Sequence, residues 1–229
     1  MRTSRFSARV ESYREEILVS GSAYLGTWLD AASREKIRVF IDDMSPSGAE
    51  INYEGTEKRI WDGHLLSADI SVFEKMANDV VSRFLGRSVE AYTVLAYSNK
   101  PLPSNSRAEL GRWHIDSLRR QMKVFMFLTD TTEASGPFEW VVGSHSVQFK
   151  VRALLGGHYW SFWPIHRDGT RKYSKLPDGW VEEELRNRHE IRPLLCGAGD
   201  VFLVDTSSVH RARPCREGAR YALTAYYRN

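Results

Sequence analysis

GDVFLVDTSSVHRARPCREGARYALTAYY, residues 199–227, contains two runs, 199–206 and 219–227, dominated by Val, Phe, Leu, Thr, Ala and Tyr. β-Branched and aromatic residues fit a pleated, half-buried surface. Pro214 and Gly218 interrupt the tract between the runs, so the stretch reads as two strands with PCREG as the turn between antiparallel neighbours. The same texture recurs at 88–98, 122–130 and 138–142, with NKPLPSN, EASGP and GAG as connectors. No helical pattern alternates with these segments, which argues against parallel βαβ units and predicts an antiparallel sandwich or barrel.

The first half differs. Phe6, Val10, Tyr13 and Ile17 recur at helical spacing across 6–19, and ADISVFEKMANDVVSRFLG places Ile70, Phe73, Ala77, Val80, Val81 and Phe84 on one face. Gly86 stops that second helix. The expectation is a single domain over 1–229, mainly β with N-terminal helices: a helical buttress over 1–87, then a β core over 88–229. A long irregular tract, 149–190, interrupts the core and carries Trp160, Phe162, Trp163, Tyr173 and Trp180. A tract of that length inside a compact domain is usually a lid or binding loop, and its aromatic content argues against disorder. Trp160 and Trp163 either cover an apolar or sugar-like substrate or pack into the core.

A net charge of +3 and the lack of a Lys/Arg-rich run argue against a nucleic-acid partner. No apolar run reaches membrane-spanning length, and MRTSRFSARVESYREEI has no apolar core of the kind a secretory leader needs. Cys196 and Cys215 are too few for a disulfide framework. Both are expected to be inert, and the expected compartment is the cytoplasm.

Chemistry first shows in RWHIDSLRRQ, residues 112–121. Side chains at i and i+2 of a strand share a face, so His114 and Asp116 can offer a nitrogen and a carboxylate oxygen side by side. A third ligand has to come from another strand, and His210, just past the apolar run 199–206, is the best candidate. Two histidines and one carboxylate on one face of a metal leave positions open, the arrangement used for non-haem Fe(II) oxygen chemistry. Arg220 opens the next strand. Across a hairpin closed by PCREG it would lie near His210, where a guanidinium can grip one end of a dicarboxylate.

WHID, KVFMFLTDTTEASGPFEWVVGSH (123–145) and the opening stretch together resemble the phytanoyl-CoA dioxygenase-like branch of the Fe(II)/2-oxoglutarate oxygenases. The resemblance covers about 88–148 and 192–228. It implies a double-stranded β-helix (jelly-roll, cupin-like) barrel buttressed by the N-terminal helices. It also implies His114, Asp116 and His210 as iron ligands, and Arg220 as the clamp for the far carboxylate of 2-oxoglutarate. The implied cofactors are Fe(II), 2-oxoglutarate and O2, and the implied reaction is hydroxylation of a small or carrier-bound metabolite with release of succinate and CO2. Desaturation and ring formation stay open. Related halogenases lack the carboxylate, so Asp116 argues against halogenation. Two alternatives stand beside this reading: a catalytically silent metal-binding β-helix protein, and a cupin-like isomerase or Zn hydrolase that uses the same ligands without 2-oxoglutarate.

Other residues carry plainer expectations. His145 is expected to shape the barrel mouth, and His64, His158, His166 and His189 have no partner at ligand spacing. Asp130 and Asp205 end strands, where Asp ordinarily serves turns. Lys123 either faces solvent on the alternate side of its strand or reaches the co-substrate. Arg107, Arg112, Arg119 and Arg120 form a solvated basic face, or Arg112 or Arg119 meets an anionic substrate: a carboxylate, a phosphate or a carrier-linked group.

Overall fold

The computed structural model describes residues 2–103, 111–156, 176 and 178–228, with backbone alone for 2–10 and 184. Two antiparallel sheets make up the core. The larger has seven strands: β1 (Ser22–Thr27), β2 (Glu50–Asn52), β3 (Glu57–Ile60), β4 (Thr93–Asn99), β5 (Met122–Phe127), β8 (Asp200–Asp205) and β10 (Arg220–Tyr226). They lie in the order β1-β8-β5-β10-β4-β3-β2. The smaller holds β6 (Phe138–Val141) between β7 (Ile191–Pro193) and β9 (His210–Ala212).

The period-two alternation divides the large sheet into two faces. Met122, Val124 and Met126 of β5, Val201 and Leu203 of β8, and Leu223 and Ala225 of β10 face the helices. Against them pack α1 (Arg2–Ser20), α2 (Ala31–Asp43) and α4 (Ala68–Leu85), through Ile17, Ile37, Ile41, Ile70, Phe73, Ala77 and Val81. Every one of these is buried, and full burial of each Val, Leu, Ile, Phe or Met among them stabilises the fold by about 1.5–3 kcal/mol. The intervening residues Phe125, Phe127, Val204 and Ala222 turn inward and meet Phe138 and Trp140 of the small sheet. Phe125 and Phe138 lie 5.2 Å apart, ring centre to ring centre. Two facing antiparallel sheets with helices on one outer face are the expected jelly roll.

The predicted helices form as expected. Tyr13 and Ile17 of α1 are buried, and Gly86 ends α4 in the left-handed region at φ +69°. Residues 1–87 do more than buttress, because they also supply three strands to the large sheet. Residues 88–92, expected as strand, precede β4. There Ser82 Oγ accepts from Val89 N and donates to its carbonyl, and Asn78 Oδ1 accepts from Ala91 N. Side chains of α4 thus satisfy backbone groups that a ladder would otherwise have used. Within 149–190, α5 (Val147–Leu155) and a π-helical turn, Trp180–Leu185, are regular. Trp160, Phe162, Trp163 and Tyr173, and with them the expected lid, lie outside the described residues, as do Arg107, His158 and His166.

One topological expectation is overturned. β9 pairs with β6, whereas β10 pairs with β4 and β5, so PCREG carries the chain from one sheet to the other and closes no hairpin. The crossing is held by Arg213 N to Pro137 O, and by Arg216 N and Glu217 N to Ala134 O. It passes so close over Gly136 (φ +77°) that a Cβ there would lie 2.5 Å from Arg213 O. Only glycine fits. His210 and Arg220 therefore belong to opposite walls of the barrel.

Candidate metal centre

His114 lies in no continuous strand. It forms a single bridge to His210, and the two residues exchange backbone N–H···O bonds of 2.9 Å in both directions. Asp116 N then donates to Thr206 O at 3.1 Å. The i, i+2 relation survives: His114 Nε2 is 3.9 Å from Asp116 Oδ1, and His210 Nε2 is 3.6 Å from Asp116 Oδ2. One ligand atom from each of the three lies within 4.8 Å of the others. Among the described residues this is the one cluster of its kind.

The hydrogen bonds decide which nitrogens are available. His114 Nδ1 lies 2.9 Å from Arg112 O, and His210 Nδ1 lies 2.8 Å from Ser208 O. A carbonyl only accepts, so both Nδ1 atoms carry the proton. Each Nε2 lone pair is left facing Asp116, the tautomer a metal needs. Burial, and then the adjacent His114, push the His210 imidazole down to about 3, so it is neutral at any physiological pH. Burial would favour the neutral acid at Asp116, yet Lys123, His210 and His114 outweigh it and hold that carboxyl well below the usual carboxylate range. Two imidazoles bonded to carbonyls through Nδ1 and a carboxylate are a donor set suited to a divalent metal.

Lys123 faces inward. It is buried, with Nζ 2.6 Å from Asp116 Oδ2 and 4.3 Å from the Tyr226 ring centre. Arg220 is 3% exposed and sits opposite Asn99 in the β10–β4 register. Its Nη2 donates to Asn99 Oδ1 at 3.0 Å, while Asn99 Nδ2 donates to Glu57 Oε1 at 3.0 Å. Arg220 Nε and Nη1 are buried with no hydrogen-bond partner among the described residues. Unpaired buried guanidinium N–H groups are costly, and a carboxylate would satisfy both at once. A cavity of about 320 Å³ brings His114 and Arg220 to one space, with Arg59, Asn99, Lys100 and Arg112 also lining it.

The remaining candidates take structural places. Arg120 Nε lies 3.3 Å from Asp205 Oδ2, and the other oxygen of that buried carboxylate accepts from Ser207 N, Ser207 Oγ and Gln121 N. Asp205 thus fixes the turn that leads to His210. Asp130 Oδ1 accepts from Ala198 N at 2.8 Å. Arg119 is exposed and does not line the cavity. His145 is buried, with Nε2 3.2 Å from Leu18 O, and it stands apart from the metal cluster. His189 meets Phe149 edge-on. Burial pushes the Cys196 thiol up to about 12 and also raises Cys215, so neither is a thiolate. Asn99 and Glu57 went unseen in the sequence because their partners are distant along the chain. Glu139 did leave a signal, a lone charge within the apolar run FEWVV.

No curated protein sequence matches this chain. Solved structures do. The epimerase SnoN in complex with Fe3+, α-ketoglutarate and nogalamycin RO is 15% identical with a TM-score of 0.70, and the match covers 97% of this chain and 84% of that one. The α-ketoglutarate-dependent carbocyclase SnoK from nogalamycin biosynthesis is 15% identical with a TM-score of 0.67, over 95% and 83%. HygX from Streptomyces hygroscopicus, with nickel and 2-oxoglutarate bound, is 15% identical with a TM-score of 0.60, over 94% and 85%. At these identities the likeness is one of fold, and it agrees with the jelly roll described above. The model of the phytanoyl-CoA dioxygenase (PhyH) family matches residues 31–220, most of the chain, so this chain belongs to the phytanoyl-CoA dioxygenase family.

Proposed function

We propose that this chain is an Fe(II)- and 2-oxoglutarate-dependent dioxygenase, acting as one oxygenase domain and hydroxylating a small molecule with release of succinate and CO2. One observation carries the reading. A His–Asp–His cluster with both Nε2 lone pairs free shares a barrel with a buried guanidinium whose Nε and Nη1 lack partners. A silent metal-binding module, or an isomerase without a dicarboxylate, has no use for that guanidinium. SnoN with Fe3+ and α-ketoglutarate, and HygX with nickel and 2-oxoglutarate, supply precedents on the same fold.

His114, Asp116 and His210 would hold the iron, and Arg220 would hold the far carboxylate of 2-oxoglutarate. Bound there, iron supplies the activation of O2 that the side chains themselves lack. The chain's own contribution is positional. The Arg112 and Ser208 carbonyls keep the imidazoles in their ligating tautomer, and Lys123 keeps Asp116 ionised. Asn99 holds the Arg220 fork open toward the cavity. Among the described residues, Arg59, Lys100 and Arg112 line the same cavity against one carboxylate, Glu57, a balance that favours an anionic substrate.

The test is anaerobic addition of Fe(II) and 2-oxoglutarate. A weak visible charge-transfer band is expected, absent in Asp116→Ala, with succinate formed once air and substrate are admitted. No band from the folded wild-type protein would rule the reading out.

A further inference from the structure

The ligand-bearing segments are short of backbone support. β9 is three residues long, and His114 is tied to it by one bridge. The Nδ1 bonds orient each imidazole on its own segment, and a further contact is needed to hold the two segments against each other, with the ring centres 4.3 Å apart. Successive side chains alternate faces, so Trp113 and Arg211, the chain neighbours of the two histidines, point away from the cluster. On that far side one carboxylate holds both. Glu182 Oε1, from the π-helical turn, accepts from Trp113 Nε1 at 2.9 Å and pairs with Arg211 Nη2 at 2.8 Å. The Arg211 guanidinium lies 4.3 Å from the Trp113 ring centre, and its Nε is bonded to Glu139. Trp113 and Glu139 are both fully buried. Burial opposes ionisation of Glu182, but Arg186, Trp113 and Arg211 hold its carboxyl below its ordinary value, so it is an anion at neutral pH.

We propose that Glu182 is a positioning residue for the metal centre: through Trp113 and Arg211 it fixes the two segments that present His114 and His210, and so sets the ligand geometry. The proposal rests on the reading that His114, Asp116 and His210 hold a metal. Glu182 touches neither metal nor substrate. Losing a group bonded directly to a metal ligand weakens metal affinity by about 10–100-fold; Glu182 acts one residue further out, so the low end of that range is its ceiling.

The experiment is a Co(II) titration of the metal-free full chain, read by the ligand-field absorption of the bound ion. The variants are Glu182→Ala, Glu182→Gln, the exposed same-turn control Glu183→Ala, and His114→Ala. Wild type and Glu183→Ala are expected to bind alike. Glu182→Ala is expected to bind several-fold and up to about tenfold more weakly, with displaced bands. Glu182→Gln keeps an acceptor for Trp113 but loses the charge facing Arg211, and should fall between them. If Glu182→Ala does not fold, as judged by circular dichroism, Glu182→Gln carries the test alone. Wild-type affinity and spectrum in the folded Glu182 variants would overturn the proposal. A wild-type chain that takes up no Co(II), or a His114→Ala variant that binds like it, would overturn the metal reading instead.

Discussion

The two sheets of this barrel are stabilised by different physics. In the large sheet every residue of β5 is buried, and one of its faces is an unbroken apolar contact with α1, α2 and α4. In the small sheet β6 is equally buried, yet at its centre lies Glu139, gripped by Arg211 and Arg213 of the β9 segment. Apolar burial is non-directional and tolerates exchange of similar volumes. A buried charge network fixes geometry only while every member is satisfied. The large sheet supplies Arg220 and Lys123 on a stiff support, while the small sheet supplies His210 and, through one bridge, orients His114. Rigidity thus comes from one wall of the barrel and ligand geometry from the other.

Substitutions that strike one wall at a time separate the two contributions. The largest effect on stability is expected from Phe73→Ala, which empties a fully buried site between α4 and the large sheet. Such truncations cost about 3–5 kcal/mol, read as a lower denaturation midpoint, and Co(II) affinity of the folded fraction should not change. Glu139→Ala is expected to cost less. It strands two guanidinium groups, but these are 18% and 27% exposed and each keeps another carboxylate, Glu182 or Glu133. The 3–5 kcal/mol expected for breaking a fully buried pair therefore shrinks to about 2 kcal/mol, and Co(II) affinity should fall as well. A Glu139→Ala chain that loses stability but binds Co(II) normally would show that the two walls do not divide the work.

The same contrast explains what was legible in the sequence. The long strands and α4 announced themselves because apolar periodicity is a local signal, and it is the large sheet that uses it. β1, β2, β3, β7 and β9 did not, because strands of three to six residues, several with charged positions, carry too little pattern. The triad and Arg220 were visible as motifs. Their mutual placement was not: PCREG reads as a hairpin turn, and nothing local shows that Arg213 N and Arg216 N bond to Pro137 O and Ala134 O. The network of Glu139, Arg211, Glu182 and Trp113 joins four segments, so it exists only in the folded chain. Lys123 was readable as an anomaly within an apolar strand, but its choice between solvent and interior waited on the sheet's handedness of alternation.

Lys123 reaches the metal cluster from the large sheet. Its ammonium already neutralises Asp116 at 2.6 Å, so it stabilises the metal-free protein and competes with the cation that the cluster binds. Lys123→Met should lower the stability of the metal-free chain by about 1–2 kcal/mol, discounted from the fully buried case because Asp116 is 21% exposed. Because the metal then satisfies the stranded carboxylate, Co(II) should bind the variant more tightly and raise its melting temperature further than it raises that of wild type. A smaller metal-induced shift would mean that Lys123 orients Asp116 more than it competes for it.

The smallest expected effect separates two arginines seven residues apart. Arg112 lines the cavity with His114 and Arg220, whereas Arg119 is exposed and lines no part of it. Surface substitutions away from such features change stability little, so Arg119→Ala should leave the melting temperature, Co(II) affinity and 2-oxoglutarate affinity at wild-type values. Arg112→Ala should raise KM for an anionic substrate several-fold without altering Co(II) affinity, because its carbonyl, not its side chain, orients His114. Succinate release measured against substrate concentration reads both variants in one assay. A raised KM in Arg119→Ala, with Arg112→Ala unchanged, would move the substrate's charged end out of the cavity and onto the exposed loop after Asp116.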